Sequence, residues 1–331
     1  MQRKDFFIGV DVSKETLDVA VSGSKSHIRI KNNSEGFKQL QAWLKSLQIA
    51  LSDCWFVLEY TGGYEYRLVD FCKSKQIQFT RVPGLAIKKS LGMQRGKNDK
   101  LDAKRIAEYG EEKQKKLKPH TACAETILRL KQLLTQREAF INDRKGHEHR
   151  MKELQSMMDL KESNVIIRQY KQAVGFMAKM EEKTEEAIHK LISGDNKLDR
   201  NYALIMSVPG IGKVNAWMTI AYTENFECFD NARQYGAYCG VVPYDHESGK
   251  SIKKKNRISH MANKPLKACL TMGAKSAINN DEEMKQYYQR RVLMGKHHNS
   301  IVNEIRFKLI LRMFAVVNKQ EFYVDKYEKA A

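Results

Sequence analysis

The stretch "FFIGVDVSKETLDVAVSG", residues 6–23, decides the fold. "FFIGVDV" is a short apolar run rich in β-branched residues, and a second run, "LDVAVSG", follows the turn "SKET", so the two read as a hairpin. "SHIRIKN" reads as a third strand. Asn33 or Ser34 then caps a helix, "EGFKQLQAWLKSLQ", in which Phe37, Leu40, Trp43, Leu44 and Leu47 recur at helical spacing. "CWFVLEYTGG" is nearly continuous in apolar residues up to its two glycines, the pattern of a strand covered on both faces. A helix over "YEYRLVDFCKSKQ" leads to a last strand, "IQFTRVP".

Three antiparallel-type strands followed by alternating helices and strands predict an α/β sheet of the ribonuclease H type rather than a purely parallel one. Two acids sit awkwardly in it. Asp11 lies in the first apolar strand and Glu59 near the end of the buried strand "FVLEY", where an ionised carboxylate is costly unless paired or bound to a metal. A divalent cation would relieve their mutual repulsion, and hard Mg²⁺, or Mn²⁺ in its place, suits carboxylate ligands completed by water and phosphate oxygens. The stretch "GKNDKLDAKRIAEYG" adds Asp99 and Asp102, which on a helix share one face about one turn apart. Together the four form a candidate two-metal site for phosphodiester chemistry. Each also has a plainer reading: Asp99 as a helix cap, Asp102 as a first-turn acid favoured by the macrodipole, Glu59 as the partner of a buried lysine or arginine.

The charge of the whole chain agrees with a polyanionic substrate. Among 331 residues, 58 are Lys or Arg against 39 Asp or Glu, a net of +19. Basic contacts to phosphates release condensed counterions, so such a surplus favours nucleic acid over a merely solvated surface. No window approaches the roughly 18 apolar residues that span a bilayer, and "MQRKDFFIGVDV" lacks a signal-peptide pattern, so the expected location is cytoplasmic, with no membrane partner. Six scattered cysteines without a Cys-x-x-Cys pair suggest neither a disulfide framework nor a zinc site.

Beyond the α/β segment, Thr121 to about Ile192 reads as long helices. Ile127, Leu130, Leu134 and Ile141 fall on one stripe, and Tyr170, Val174, Met177, Ile188 and Leu191 mark later faces. This is an extended helical hairpin or coiled coil, serving either as a packed linker or as a dimerisation arm. "SVPGIGKVNAWMTIA" opens a mostly helical remainder, interrupted by the polar segment "PYDHESGKSIKKKNRISHMANKP". The expected division is residues 1–118, an α/β domain; 119–200, a helical arm; and 201–331, a C-terminal all-α domain.

In "VPGIG", Gly210 and Gly212 with Lys213 have the spacing of a helix-hairpin-helix, whose exposed backbone N–H groups seat a phosphate; the alternative is a tight turn with no ligand. In "HESGKSIKKKNRIS", Ser248 precedes Gly249 and is followed by Lys250, Lys253, Lys254, Lys255 and Arg257. A serine becomes a useful nucleophile when a metal or cationic cluster stabilises the developing charge on phosphate. These residues alone leave Tyr244 and Ser251 as competitors, and a plain Ser-Gly turn as the simpler account. Arg95, Lys97, Lys104 and Arg105 flank the two aspartates and are candidates to hold nucleic acid over them. Nucleotide hydrolysis is disfavoured. "SGKS" has Tyr244 where a Walker A loop requires glycine, and no second phosphate loop accompanies "GVDVSKETLDVAV" as the actin and sugar-kinase ATPases require.

In order along the chain, "GVDVSKETLDVAV", "LEYTGGY", "KNDKLDAKRIA", "VPGIGKVNA", "CGVVPYDHESGKS" and "RISHMANKPLK" resemble the DEDD transposases of the insertion-sequence one-ten family, from about Phe6 to Phe314. The resemblance implies a RuvC-like ribonuclease H domain, a coiled-coil arm and a C-terminal transposase domain. It implies a homo-oligomer, dimer or tetramer, that acts on DNA under the guidance of a structured "bridge" RNA. It places the family's acids on Asp11, Glu59, Asp99 and Asp102 and its serine nucleophile on Ser248, with Mg²⁺ at the acids, a phosphoserine intermediate and strand exchange through a Holliday-junction-like state. Sites on two domains, between subunits, would have to meet. Asn98 stands where the family often has Thr, Ala262 where Gly is usual and Lys267 where Arg is common. Two other readings stand beside it: a Holliday-junction resolvase in which water attacks, and a non-catalytic nucleic-acid scaffold.

Overall fold

A computed structural model describes residues 5–59, 63–82, 84–90, 98–117, 119, 125–242, 247–248, 252–253 and 262–324. The chain divides into two compact units, Met1–Ala122 and Cys123–Ala331.

The first unit is built on five strands: β1 (Phe6–Val12), β2 (Thr16–Val21), β3 (His27–Lys31), β4 (Cys54–Glu59) and β5 (Gln78–Val82). Their order is β3-β2-β1-β4-β5. β1 and β2 are antiparallel, as are β2 and β3, whereas β4 lies parallel to β1 and β5 parallel to β4. The hairpin turn is fixed by Ser13, whose hydroxyl donates to the Thr16 carbonyl and accepts from the Thr16 N–H. Helices α1 (Ser34–Ser46), α2 (Tyr66–Ser74), α3 (Gly84–Ser90) and α4 (Asp99–Lys113) complete the unit.

Alternate residues of a strand point to opposite faces, and both faces of β1 are used. Ile8, Val10 and Val12 join Phe37, Leu40 and Leu44 of α1 and Leu68 and Phe71 of α2 in one core. Phe7, Trp55 and Val57 face the other way, with Ile87 of α3 and Ile106 of α4. Gly9 shares this second face, and α4 lies directly on it: a Cβ at Gly9 would come within 2.2 Å of the Ala103 carbonyl and the Ala107 nitrogen. Gly110 lets the far end of α4 approach equally closely, since a Cβ there would meet Val57 at 2.7 Å.

The second unit opens with α5 (Glu125–Met158) and α6 (Val165–Ser193), which form a helical hairpin. Arg137 pairs with Glu181 and Glu185, and Arg144 with Glu181, so the two helices of the hairpin run in opposite directions. At its base Ile127, Leu130, Ile188 and Ile192 enter the core shared with α7 (Asn196–Met206), α8 (Lys213–Thr223), α9 (Ala232–Tyr238), α10 (Lys264–Asn280), α11 (Glu282–Leu293) and α12 (His298–Lys319). Between α9 and α10, Glu247–Ser248 (β6) and Ile252–Lys253 (β7) pair antiparallel, a small ribbon within the polar segment that interrupts the helices and for which the sequence reading assigned no strands. Helix α3 was likewise not expected. No described helix is long and apolar enough to cross a membrane, and no disulfide joins the described cysteines, of which Cys54, Cys72 and Cys239 are buried.

Candidate active site

Asp11 is the penultimate residue of β1, and Glu59 ends the neighbouring parallel strand β4. Both fall on the α4 side of the sheet, in phase with Gly9 and Val57. Helix α4 brings the other two acids. Its cap is Asn98, whose Oδ1 accepts from the Lys100 N–H at 3.0 Å, so Asp99 is not needed as the cap and its carboxylate is left for other partners. Because α4 seats on Gly9, its first turn reaches the carboxyl end of β1.

The electrostatics of Asp11 report this convergence. Its carboxyl is pushed up to about 6, first by burial and then by the negative charges of Glu59, Asp102 and Asp99, with a smaller push from Asp18. Glu59 has no lysine or arginine partner among the described residues. Gly84, the first residue of α3, makes room for it, since a Cβ there would lie 1.9 Å from Glu59 Oε1.

Positive charge reaches the other two acids from arginines. Arg29 on β3 donates to Asp99 and also, through Nε at 2.9 Å, to Asp18. Arg105 donates to Asp102 at 2.8 Å. Asp18 stands opposite Asp11 in the hairpin register, is buried, and also contacts His27 at 2.8 Å. Sequence reasoning missed Asp18, His27 and Arg29. The signal was present: in a hairpin turned by "SKET", Asp18 falls across from Asp11, and Arg29 lies one strand further on the same face.

As they stand, no three described Asp, Glu, His or Cys side chains are close enough to hold a metal ion. The donor set nevertheless fits one. Oxygen-only ligands of high negative charge, with Asp11 raised by burial and by its acidic neighbours, are what a hard divalent cation satisfies.

The remaining sequence candidates are placed as follows. Lys104 is exposed on α4 and pairs with Glu108 at 3.7 Å. Gly210, at φ +87°, lies against α10, where a Cβ would meet the Gly273 carbonyl and Ala277 at 2.7 Å, so its positive φ serves close helix packing. Gly212 precedes α8 with open space around its Cα, and Lys213 pairs with Glu185. Ser248 lies in β6 opposite Ile252, and Lys253 lies in β7 opposite Glu247. Arg95, Lys97, Tyr244, Lys250, Ser251, Lys254, Lys255 and Arg257 lie outside the described residues.

A mixed sheet in the order 3-2-1-4-5, with carboxylates at the ends of its two central parallel strands and on the helix that crosses them, is consistent with ribonuclease H-like enzymes that cleave phosphodiesters. Comparison with known sequences is narrower. A DEDD transposase model of the IS110 type matches residues 8–158, and the model described as "Transposase IS116/IS110/IS902 family" matches residues 202–289. The chain belongs to the IS110 family of transposases. It is similar to the pilin gene-inverting proteins of Moraxella bovis and Moraxella lacunata, each 25% identical over 321 residues, which span 95% of this chain and 96% of the relative. It is therefore a DNA recombination enzyme that cleaves and transfers strands, and DEDD domains of this kind typically depend on a divalent metal.

Proposed function

We propose that this protein is an RNA-guided DNA recombinase with a RuvC-like domain, in which Asp11, Glu59, Asp99 and Asp102 hold Mg²⁺ and Ser248 is the nucleophile. The observation that carries the metal half is the placement of Asp11 and Glu59 at the ends of β1 and β4 with Asp99 and Asp102 on the first turn of the helix seated on Gly9, where burial and then the neighbouring acids push the Asp11 carboxyl up. When bound, the metal supplies charge stabilisation at the phosphate under attack. The acids would hold it from β1, β4 and α4, and Arg29 and Arg105, which pair with Asp99 and Asp102, would be at hand for phosphate oxygens.

In the serine half, the Ser248 hydroxyl loses its proton and its Oγ forms a bond to phosphorus. One bridging P–O bond of the DNA breaks, and the departing oxygen takes up a proton. The phosphoserine conserves the phosphodiester's free energy, so strands can be rejoined without an external energy source. This suits relatives named for inverting a gene, because inversion requires every cut end to be resealed. The sequence resemblance supports the guide RNA, an oligomer assembled on DNA, the helix-hairpin-helix at Gly210 to Lys213, and a coiled-coil role for the α5–α6 hairpin.

The deciding experiment is covalent trapping. The protein is incubated with its element-end DNA and Mg²⁺ and then denatured; a protein–DNA adduct that is absent in Ser248→Ala is expected. Cleaved ends without any adduct would assign the attack to water instead. Asp102→Ala is expected to abolish cleavage while RNA affinity stays within about twofold. Sequencing of co-purified RNA tests the guide.

A further inference from the structure

A groove of about 680 Å³ opens at the edge of the sheet where β1 and β3 end, on the side of α1 and α2, and neither Asp11 nor Glu59 is among its described lining residues. Its lining includes Lys14 from the β1–β2 turn, Lys31 at the end of β3, Asn32 and Asn33, and Tyr64 and Arg67 from the segment that follows β4. Glu15 is the only acid on this lining among the described residues, and it forms no ion pair with either lysine. Lys14 and Lys31 have no carboxylate partner among the described residues, so three cations face one groove with little to neutralise them.

The groove is built rather than incidental. Asn32 is 3% exposed and ties its walls together: its Nδ2 donates to the Ser13 carbonyl at 3.1 Å and to the Tyr64 carbonyl at 2.9 Å, and its own carbonyl accepts from Arg67 at 3.0 Å. Its Oδ1 is buried with no hydrogen-bond partner among the described residues. Asn33 caps α1, so the positive end of that helix opens on the same groove. Tyr64, 51% exposed, offers an aromatic face at the rim.

Uncompensated lysines and an arginine, a helix N-terminus and an exposed tyrosine are the parts with which proteins hold a single nucleic-acid strand, the cations on its backbone and the ring under a base. The volume falls within the ~300–1,000 Å³ of pockets that take a compact ligand, enough for a nucleotide. In sheets with parallel strands, ligands gather at the carboxyl ends of those strands. We propose that this groove is a subsite for an unpaired stretch of the DNA substrate at the carboxyl edge of the sheet: Lys14, Lys31 and Arg67 grip its backbone, and Tyr64 stacks against one of its bases. The proposal rests on the reading of the acid cluster as the strand-cleaving centre.

The test is binding of fluorescein-labelled oligothymidylate to the full-length protein in EDTA, followed by anisotropy over a range of salt. Lys14→Ala/Lys31→Ala is expected to weaken binding at least tenfold and to reduce the slope of log K against log salt by about 1.4, two single-strand phosphate contacts at about 0.7 each. Tyr64→Ala is expected to lose about tenfold while Tyr64→Phe binds normally, and Lys14→Arg/Lys31→Arg is expected to keep the wild-type slope. An unchanged affinity and slope in the double alanine variant, with wild-type melting temperature, overturns the proposal. So does a loss confined to oligouridylate, which would make the groove an RNA site. Cleavage by Asp102→Ala tests the acid-cluster reading separately, because binding in EDTA does not depend on it.

Discussion

At the scale of single residues, Asp11 is where the fold yields stability to chemistry. Its carboxyl titrates at about 6 in the folded chain, raised by burial and by Glu59, Asp102 and Asp99, against about 3.9 when unfolded. The folded state therefore holds a proton that the unfolded state has lost, and stability is fully present below about pH 4 and falls as pH rises through about 6. Asp11→Asn is expected to remove that loss, raising stability at pH 7 by about 1 kcal/mol after allowance for solvent screening, with little gain at pH 4.5. It should also abolish strand cleavage. Melting curves of both proteins across this pH range, in EDTA, provide the check. Asp11 and Glu59 stand out as candidates in the sequence because carboxylates in apolar strands are conspicuous. The surroundings of the four acids do not: Asn98, not Asp99, caps α4, and Arg29 reaches Asp99 across 70 positions of sequence, a pairing that no local pattern encodes.

At the scale of elements, α4 is held by what β1 lacks. Gly9 permits backbone-to-helix contact, so Gly9→Ala is expected to destabilise the protein by about 3 kcal/mol, because neither the Ala103 carbonyl nor the Ala107 nitrogen can move aside as a side chain would. The acids of α4 shift with the helix, and cleavage should fall even below the unfolding temperature. Gly146 in α5 is the contrast: nothing lies within 4 Å of a Cβ there, so Gly146→Ala is expected to stabilise by about 0.5–1 kcal/mol. Chemical denaturation of the two variants measures both signs. The strands and long helices were legible because their hydrophobic periods run for many residues. Helix α3, seven residues long, and the two-residue strands β6 and β7 carry too little periodicity to be seen.

For the whole molecule, the surplus of charge sets how it finds DNA. With a net of +19 spread over 331 residues, binding to random duplex should weaken steeply with salt. A slope of about −4 or steeper in log K against log salt is expected, corresponding to five or more phosphate contacts, and is measurable by titration at several potassium chloride concentrations. Composition alone made this legible. How the helical segments share a core was not, since Ile127 and Ile188 join Trp217 and Leu309 through contacts between distant parts of the chain.

The seat of α4 on Gly9 also divides the labour of descent along that helix. Its inner side meets main-chain atoms at Gly9 as well as the side chains of Phe7 and Val57, so the placement of the two aspartates rests largely on the buried face. Lys100, Leu101 and Lys104 face outward and are exposed. A lineage can rewrite that outer surface while the buried seat of the helix is inherited unchanged.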